Sequence, residues 1–356
     1  MERSHKIRMY PNNRQETMLL KTAGTSRYAF NWALSEWNRQ YEEFKNGRQA
    51  ERPTAYNIKK QWNAEKEEWA QEVYSGAPTQ AILNLGAAFT NFFRHTAEHP
   101  KFHKKGRGVD SFYVANDKGA YKPGKVRIPN AGWVKLAEEL RLSGKITSYH
   151  VSTYAGKWWV SIHISNDEVK ITSPKTVCGI DVGLKVPATA SDGTTLQIPG
   201  QLKALHSKLK REQRRLARKQ PRSRNRDNQL IRKQRVELRI GDIRRDVTHK
   251  FTTQVCKNHA TVVIEDLSIE PMKRTSQFKS FRQAFQQSMM SEVLRQLEYK
   301  AQTVKKAPKY YPSSQLCSAC GARMDMPVDV RTYRCEHCGA VIDRDLNAAI
   351  NLMKIG

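Results

Sequence analysis

The stretch Cys317-Ser-Ala-Cys320, then fourteen residues, then Cys335-Glu-His-Cys338, leads within a few residues into Asp343-Arg-Asp345-Leu-Asn347-Ala-Ala-Ile-Asn351-Leu. Two Cys-x-x-Cys pairs at this separation bring four thiolates within reach of one Zn²⁺, at Zn–S distances of about 2.3 Å. Gly321 and Gly339 stand where a knuckle turn needs a permissive backbone. The plainer alternative, four unrelated reduced thiols, does not explain the paired spacing. Disulfides are disfavoured in a reducing cytosol. A closed set of four sulfurs leaves no open coordination position, so the expected zinc is structural. The other two cysteines, Cys178 and Cys256, lie in apolar surroundings and read as inert core thiols.

Around this stretch the chain has 356 residues, 62 Lys and Arg against 34 Asp and Glu, and a formal charge of +28. That length accommodates two or three domains with real cores. Mean hydropathy is −0.72, and no run of about 18 apolar residues could span a bilayer. The start, Met1-Glu2-Arg3-Ser4-His5-Lys6, lacks the pattern of a secretory signal. A cytoplasmic, nucleoid-accessible protein with no membrane partner is expected. A charge of this size calls for a polyanion, and nucleic acid is the first candidate.

Much of the charge is local. Residues 203–250 hold 18 Lys and Arg against 5 Asp and Glu, a net +13. Leu202, Leu205, Leu209 and Leu216 share one helical face, Val236, Ile240, Ile243, Val247 and Phe251 another, with Pro221-Arg222-Ser223-Arg224 as a turn between them. An antiparallel helical hairpin over 202–251 is predicted, with arginines outward toward nucleic acid. In the first half, a strand over 6–12 precedes helices over 15–41 and 79–95. The basic loop 100–108, strands near 125–129 and 133–137, and a hairpin over 146–164 turning at Ala155-Gly156 follow. This order suggests a small β-barrel with a helical insertion. The polar stretch 166–175 is a candidate boundary. Farther on, Met290, Leu294, Leu297 and Ala301 predict a helix, followed by a strand near Lys309-Tyr310-Tyr311.

Three acids stand at distinctive places. Asp181 lies in the apolar strand 176–181, Glu265 ends the strand 261–265, and Asp345 opens the last helix. Burying a carboxylate in a strand is costly without a cation or donors. Three carboxylates from separate elements are what two Mg²⁺ ions about 3.5–4 Å apart require for phosphodiester hydrolysis. Each acid alone has an ordinary reading: Asp181 as a turn former, Glu265 as the partner of an arginine, Asp343 or Asp345 as a helix N-cap.

Ile180-Asp181-Val-Gly183-Leu-Lys185, Val263-Ile-Glu265-Asp-Leu267-Ser268, Tyr311-Pro-Ser-Ser314 and Asp343-Arg-Asp345-Leu-Asn347-Ala-Ala-Ile-Asn351 resemble the RuvC motifs and zinc ribbon of the TnpB family. These are transposon-encoded, RNA-guided nucleases related to type V CRISPR effectors. Met9-Tyr10-Pro11, Arg27-Tyr-Ala-Phe30-Asn31-Trp32, Lys101-Phe102-His-Lys-Lys105-Gly106 and Gly156-Lys-Trp158-Trp159-Val-Ser161 extend the resemblance over nearly the whole chain.

The resemblance implies an α+β multidomain fold. A β-barrel wedge domain (1–170) would carry a helical recognition insertion (about 13–100). An RNase-H-like RuvC domain would follow (171–312 and 341–356) with a zinc ribbon (313–340) inserted before its last helix. It further implies Asp181, Glu265 and Asp345 as catalytic Mg²⁺ ligands, and Cys317, Cys320, Cys335 and Cys338 as zinc ligands. The partners implied are a guide RNA from the transposon end and target double-stranded DNA cut beside a short transposon-adjacent motif. Asp345 is preferred over Asp343 because it stands two residues before Asn347. One departure is that the chain stops 11 residues after Asp345. The alternatives are a guided DNA-binding regulator without cleavage, a transposase or transposase-accessory nucleic-acid-binding protein, and a plain RNA-binding zinc protein.

Overall fold

The computed structural model describes residues 2–106, 109–166, 171, 173–267, 281, 284–285, 288–327 and 330–356. Part of the basic loop (Arg107, Gly108), half of the candidate boundary (167–170 and 172) and Ser268 of the second acidic motif lie outside the described residues. The chain divides into two compact units, Met1–Glu168 with Arg218–Gln234, and Val169–Ala217 with Arg235–Gly356.

In the first unit, β1 (Glu2–Tyr10) alternates. Ile7 and Met9 are buried while Lys6, Arg8 and Tyr10 face the other way. Pro11 ends the strand, and Asn12 caps α1 (Asn13–Lys45) by accepting from the Gln15 amide at 2.9 Å, while the Gln15 side chain accepts from the Asn12 amide at 3.0 Å. This reciprocal box explains the sharp strand-to-helix transition. Two more helices follow, α2 (Ala55–Glu65) and α3 (Gly76–Phe93). They close an apolar core of Phe30, Leu34, Trp37, Ile58, Trp62, Ile82, Leu85 and Phe89, with Trp37 stacked on Phe89 at 4.4 Å. Helix α2 is absent from the sequence expectation: only Ile58 and Trp62 of its eleven residues are buried, too sparse a stripe to announce a helix.

The remaining strands of this unit are β2 (Asp110–Ala115), β3 (Ala120–Lys122), β4 (Lys125–Ile128), β5 (Gly132–Leu136), β6 (Lys145–Tyr154) and β7 (Lys157–Ser165). They join β1 in one antiparallel sheet of order β2-β6-β7-β1-β5-β4-β3. The β6–β7 hairpin turns at Ala155 (φ 58°) and Gly156 (φ 69°), as the sequence predicts. No ladder joins β2 to β3 among the described residues, so a closed barrel is not confirmed. One face of the sheet buries Ile7, Met9, Phe112, Val114, Val134, Val151, Val160 and Ile162.

The second unit is built on a four-stranded sheet of β8 (Val177–Asp181), β9 (Thr189–Ala190), β10 (Thr261–Ile264) and β11 (Thr303–Lys306), in the order β11-β10-β8-β9. Strand β10 runs parallel to both β8 and β11, and β9 is antiparallel. Both faces of β10 are covered, which is why it reads as an unbroken apolar run. Val262 and Ile264 pack with the end of α5 (Arg224–Asn258) and with α6 (Met290–Lys300), whereas Val263 packs with Leu352 of α7 (Arg344–Met353).

The predicted hairpin is present as α4 (Gln201–Ala217) and α5, with Leu202, Leu205, Leu209, Val236, Ile240 and Ile243 packed between them. Val247 and Phe251 instead join the core of the four-stranded sheet, because α5 outruns α4 and continues onto it. The strand expected near Lys309-Tyr310-Tyr311 is corrected to β11 at Thr303–Lys306. β11 takes its register from β10, and Pro308, lacking an N–H, cannot extend the ladder. Lys309 and Tyr310 form a turn instead, with Tyr310 at φ 65° and 89% exposed. No helix among the described residues is long and apolar enough to cross a membrane.

Candidate functional site

Asp181 closes β8, Glu265 follows the last residue of β10, and Asp345 stands in the first turn of α7. Parallel pairing of β8 with β10 (Ile180 opposite Ile264) places the first two acids at the same end of the sheet. Helix α7 brings the third, and its approach is set by Gly179. A Cβ there would stand 2.0 Å from the Ala349 carbonyl and 2.4 Å from the Met353 nitrogen, so only glycine lets the helix lie this close to β8.

Of Asp343 and Asp345, it is Asp343 that caps the helix. Asp343 is the N-cap, accepting from the amides of Asp345 at 2.9 Å and Leu346 at 3.1 Å. Its carboxylate is thus committed to the helix end, and that of Asp345 is not.

Asp181 senses the other two charges. Burial, then the negative charges of Glu265 and Asp345, push the Asp181 carboxyl up to about 8, against Arg344 and the Val182 amide. Burial also raises Asp345, although Arg331 Nη1 sits 3.1 and 3.2 Å from its two carboxylate oxygens. Ser313 Oγ donates to Glu265 Oε1 at 2.5 Å. The partner of Glu265 is thus a serine rather than the arginine of its ordinary reading, and the arginine belongs to Asp345.

Asn347 and Asn351 on α7 anchor the segment that supplies this serine. Asn351 Nδ2 donates to the carbonyls of Ser313 (2.8 Å) and Leu316 (2.7 Å), Asn347 Nδ2 donates to Leu316, and Asn347 Oδ1 accepts from the Ser318 amide. Both asparagines are buried and satisfied. Arg331 and Ser313 were not identifiable as site residues from sequence. Ser313 lay inside a recognised motif without a role, and nothing in the spacing of Arg331 pointed to Asp345.

The four cysteines come together as predicted. All four sulfurs lie within 4.8 Å of one another, with Cys317–Cys338 and Cys320–Cys335 each at 3.6 Å. Among the described residues no other group of metal-ligating side chains is this compact, and the acidic trio is more open. Each knuckle repeats one pattern: Gly321 N donates to Cys317 O and Gly339 N to Cys335 O, both at 2.9 Å, with the glycines at φ 80° and 74°. The strands β12 (Thr332–Arg334) and β13 (Val341–Asp343) pair across the second knuckle, and Tyr333 packs beneath the sulfurs.

Burial opposes ionisation of Cys317, but the amides of Cys320 and Ala319 and the neighbouring thiols outweigh it and bring the group down to about 6. Cys338 is pushed up to about 12 by the other thiols, even though the Ala340 amide favours its thiolate. Thiols this close cannot all ionise without a cation among them, so the donor set fits a tetrahedral Zn²⁺. Cys178 and Cys256 are fully buried, and burial raises both thiols, Cys256 to about 11, in keeping with an inert role.

Two surfaces complete the picture. The hairpin carries the basic block. On the face of the seven-stranded sheet opposite its core, cations stand over rings: Lys6 over Trp159 (5.2 Å), Arg8 over Tyr10 (4.6 Å) and Lys122 over Trp133 (4.4 Å). Aromatic rings interleaved with cations suit a nucleic-acid strand. This face is not among the sequence expectations, although β1 already alternates Lys6-Ile7-Arg8-Met9-Tyr10.

These features describe an α+β protein whose fold resembles the Cas12 effectors, with a TnpB/RuvC-like part and a cluster of four cysteines suited to zinc. Three family models match: the probable transposase of the OrfB_IS605 type over residues 161–276, the TNB domain of Cas12f1-like proteins over 291–352, and the OrfB_IS605 helix-turn-helix domain over 1–46. A curated relative from Escherichia coli K12, named "Putative RNA-guided DNA endonuclease InsQ", is 29% identical over 99% of this chain and 91% of its own length. A "Putative RNA-guided DNA endonuclease" from Streptomyces pristinaespiralis is also 29% identical, over 100% and 90%. Among solved structures, Cas12f1 in a complex with sgRNA and target DNA aligns with a TM-score of 0.59 at 12% identity, over 99% of this chain and 98% of that one. The resemblance to the TnpB family read from the motifs is therefore carried by family models, curated relatives and fold alike.

Proposed function

We propose that this chain is an RNA-guided, Mg²⁺-dependent DNA endonuclease encoded by a transposable element. It would cut target DNA beside a short transposon-adjacent motif and act in the cytoplasm with access to the nucleoid. The observation that carries the reading is the convergence of Asp181, Glu265 and Asp345 on one end of a buried sheet, in a chain of net charge +28. A carboxyl held near 8 by burial and then by its acidic neighbours marks a place where a cation is wanted. Relatives named as RNA-guided DNA endonucleases over nearly their full length support the substrate class.

In this reading residues 171–312 and 341–356 make up the nuclease domain, 313–340 the zinc ribbon, and 1–170 the wedge domain with its recognition insertion at 13–100. Asp181, Glu265 and Asp345 would hold two Mg²⁺ ions, whose chemistry when bound is to activate a water and stabilise the leaving 3′ oxygen. Ser313 orients Glu265, and Arg331 steadies Asp345 and offsets its charge. Cys317, Cys320, Cys335 and Cys338 would hold a structural zinc that ties the segment bearing Ser313 to the segment bearing Arg331. Sequence choice falls to base pairing with a guide RNA, while the protein's cations hold the backbone.

The test is to purify the chain from cells carrying its native locus and sequence the nucleic acid that accompanies it. Target DNA matching that RNA is then supplied with Mg²⁺. The expected result is one discrete RNA with a constant scaffold and cleavage only of matched DNA. A heterogeneous RNA mixture, or cutting that ignores the RNA sequence, would sink the guided reading.

A further inference from the structure

In the hairpin, Arg244 of α5 is half-buried. Its Nη2 donates to His206 Nε2 of α4 at 3.2 Å. No carboxylate pairs with it among the described residues, and its buried Nε has no partner. Its Nη1 is neither engaged by the protein nor buried. His206 accepts on Nε2 and is therefore neutral, and burial followed by the Arg244 charge holds its pKa down. Sequestering a guanidinium this far against a neutral imidazole alone is unfavourable, and an anion from outside would reverse that.

A second observation comes from the backbone. Gly241 lies one turn before Arg244 on the same side of α5, in a helix interior where glycine is disfavoured. Nothing lies within 4 Å of where its Cβ would stand, so packing within the protein does not require glycine there. The effect is a notch on the helix surface beside an unpaired cation. On α4, Lys203 and Lys210 flank His206 by three and four residues, both exposed and without an ion pair among the described residues. The acidic group on the α5 stripe is Glu237, four residues before Gly241 and seven before Arg244.

We propose that His206, Gly241 and Arg244 form a seat for one phosphodiester of a nucleic-acid backbone, which enters the notch at Gly241 and takes its charge-assisted hydrogen bond from Arg244. The guanidinium matches phosphate oxygens in geometry, and the flanking lysines supply long-range attraction along the strand. The seat deepens the nuclease reading and rests on its claim that the chain binds nucleic acid. The phosphodiester could belong to the guide–target hybrid or to the DNA duplex.

The test uses the full chain with two probes of one sequence, a 20-base-pair RNA–DNA hybrid and the corresponding DNA duplex, titrated over a salt series. Arg244→Gln is expected to weaken binding about tenfold and to lower the salt slope by about one. Gly241→Ala should raise Tm by about 2 °C and yet weaken binding, a combination that damage to the fold cannot produce. Arg239→Gln, an exposed charge on the same helix, is the control and should change affinity much less. A loss confined to one probe names the source of the phosphate, and a loss on both assigns the seat to backbone generally. If Arg244→Gln costs no more than Arg239→Gln and Gly241→Ala binds like the parent, the seat is wrong while the nuclease reading stands. A parent chain that binds neither probe overturns both.

Discussion

The second unit contains two clusters of ionisable side chains, the acidic trio and the four cysteines, and they are built in opposite ways. The cysteines sit on two turns that make the same internal hydrogen bonds, and beneath them is a core little larger than Tyr333, Met324, Met326 and Ile342. The trio is assembled from three distant segments and is held by a buried sheet, a glycine contact and a network of asparagines. A metal at the cysteines therefore supplies folding energy, whereas a metal at the trio enters a site the fold has already formed. Removing either set of ligands should show the difference: one change destroys structure and spares little, the other destroys chemistry and spares structure.

The largest expected effect is on cleavage. Asp181→Asn, Glu265→Gln and Asp345→Asn should each lower the cutting rate by about 10³-fold or more, since several kcal/mol of transition-state stabilisation go with the metals. Binding of RNA and target should change little. Asp181→Asn has a second readout with the opposite sign. In the metal-free chain Asp181 titrates at about 8 when folded, against 3.8 for an ordinary aspartate. Between those values the folded chain keeps a proton that the unfolded chain has lost. The Asp181 contribution to stability is thus greatest at the acid end and falls as pH rises toward 8, by up to about 6 kcal/mol. Thermal melts without divalent ions should show this decline, and Asp181→Asn should flatten it. A parent chain equally stable at pH 5 and pH 8.5 would remove the buried-charge account of the trio.

Next in size is the thiol cluster. One zinc per chain is expected by elemental analysis, and Cys317→Ser or Cys338→Ser should abolish it. The ribbon should then become protease-sensitive, at a cost of several kcal/mol. Adding back Mg²⁺ alone should not restore cutting, because Ser313 and Arg331 reach the trio from segments the ribbon ties together. A folded, active chain without zinc would contradict the comparison directly.

The contrast also explains what could be read from the sequence. The thiol cluster was legible because its chemistry is local: two short spacings specify four ligands. The hairpin was legible from its leucine stripe and its charge, and the three acids from their positions at the ends of apolar runs. Arg331 and Ser313 were not, because their roles depend on long-range pairing that no periodicity encodes. Helix α2 was missed for lack of a continuous apolar stripe, and β11 was displaced because its position follows from β10 rather than from its own composition. Gly179 looked like any glycine in a strand until α7 was seen lying against it. Gly179→Ala should accordingly cost more than a routine core change, by about 3 kcal/mol or more, since the helix backbone rather than a flexible side chain has to move. Chemical denaturation would measure it, and cleavage should fall with it because Asp345 rides on that helix.

The smallest effect predicted is also the most discriminating. Arg331 lies in the ribbon segment yet touches the trio, so it belongs to both halves of the comparison. If it serves only to hold the ribbon against α7, Arg331→Gln should lower stability and leave the pH dependence of cleavage unchanged. If it also sets the charge of Asp345, the same change should let burial raise that carboxyl further, because the guanidinium is what opposes it. The acid limb of the pH–rate profile would then move to higher pH, and Arg331→Lys, which keeps the charge but not the two-oxygen contact, would move it only part of the way. The expected outcome is the second: a shifted profile with a loss of cutting well below that of Asp345→Asn. A profile superimposable on that of the parent would confine Arg331 to the ribbon and leave the two clusters electrostatically independent.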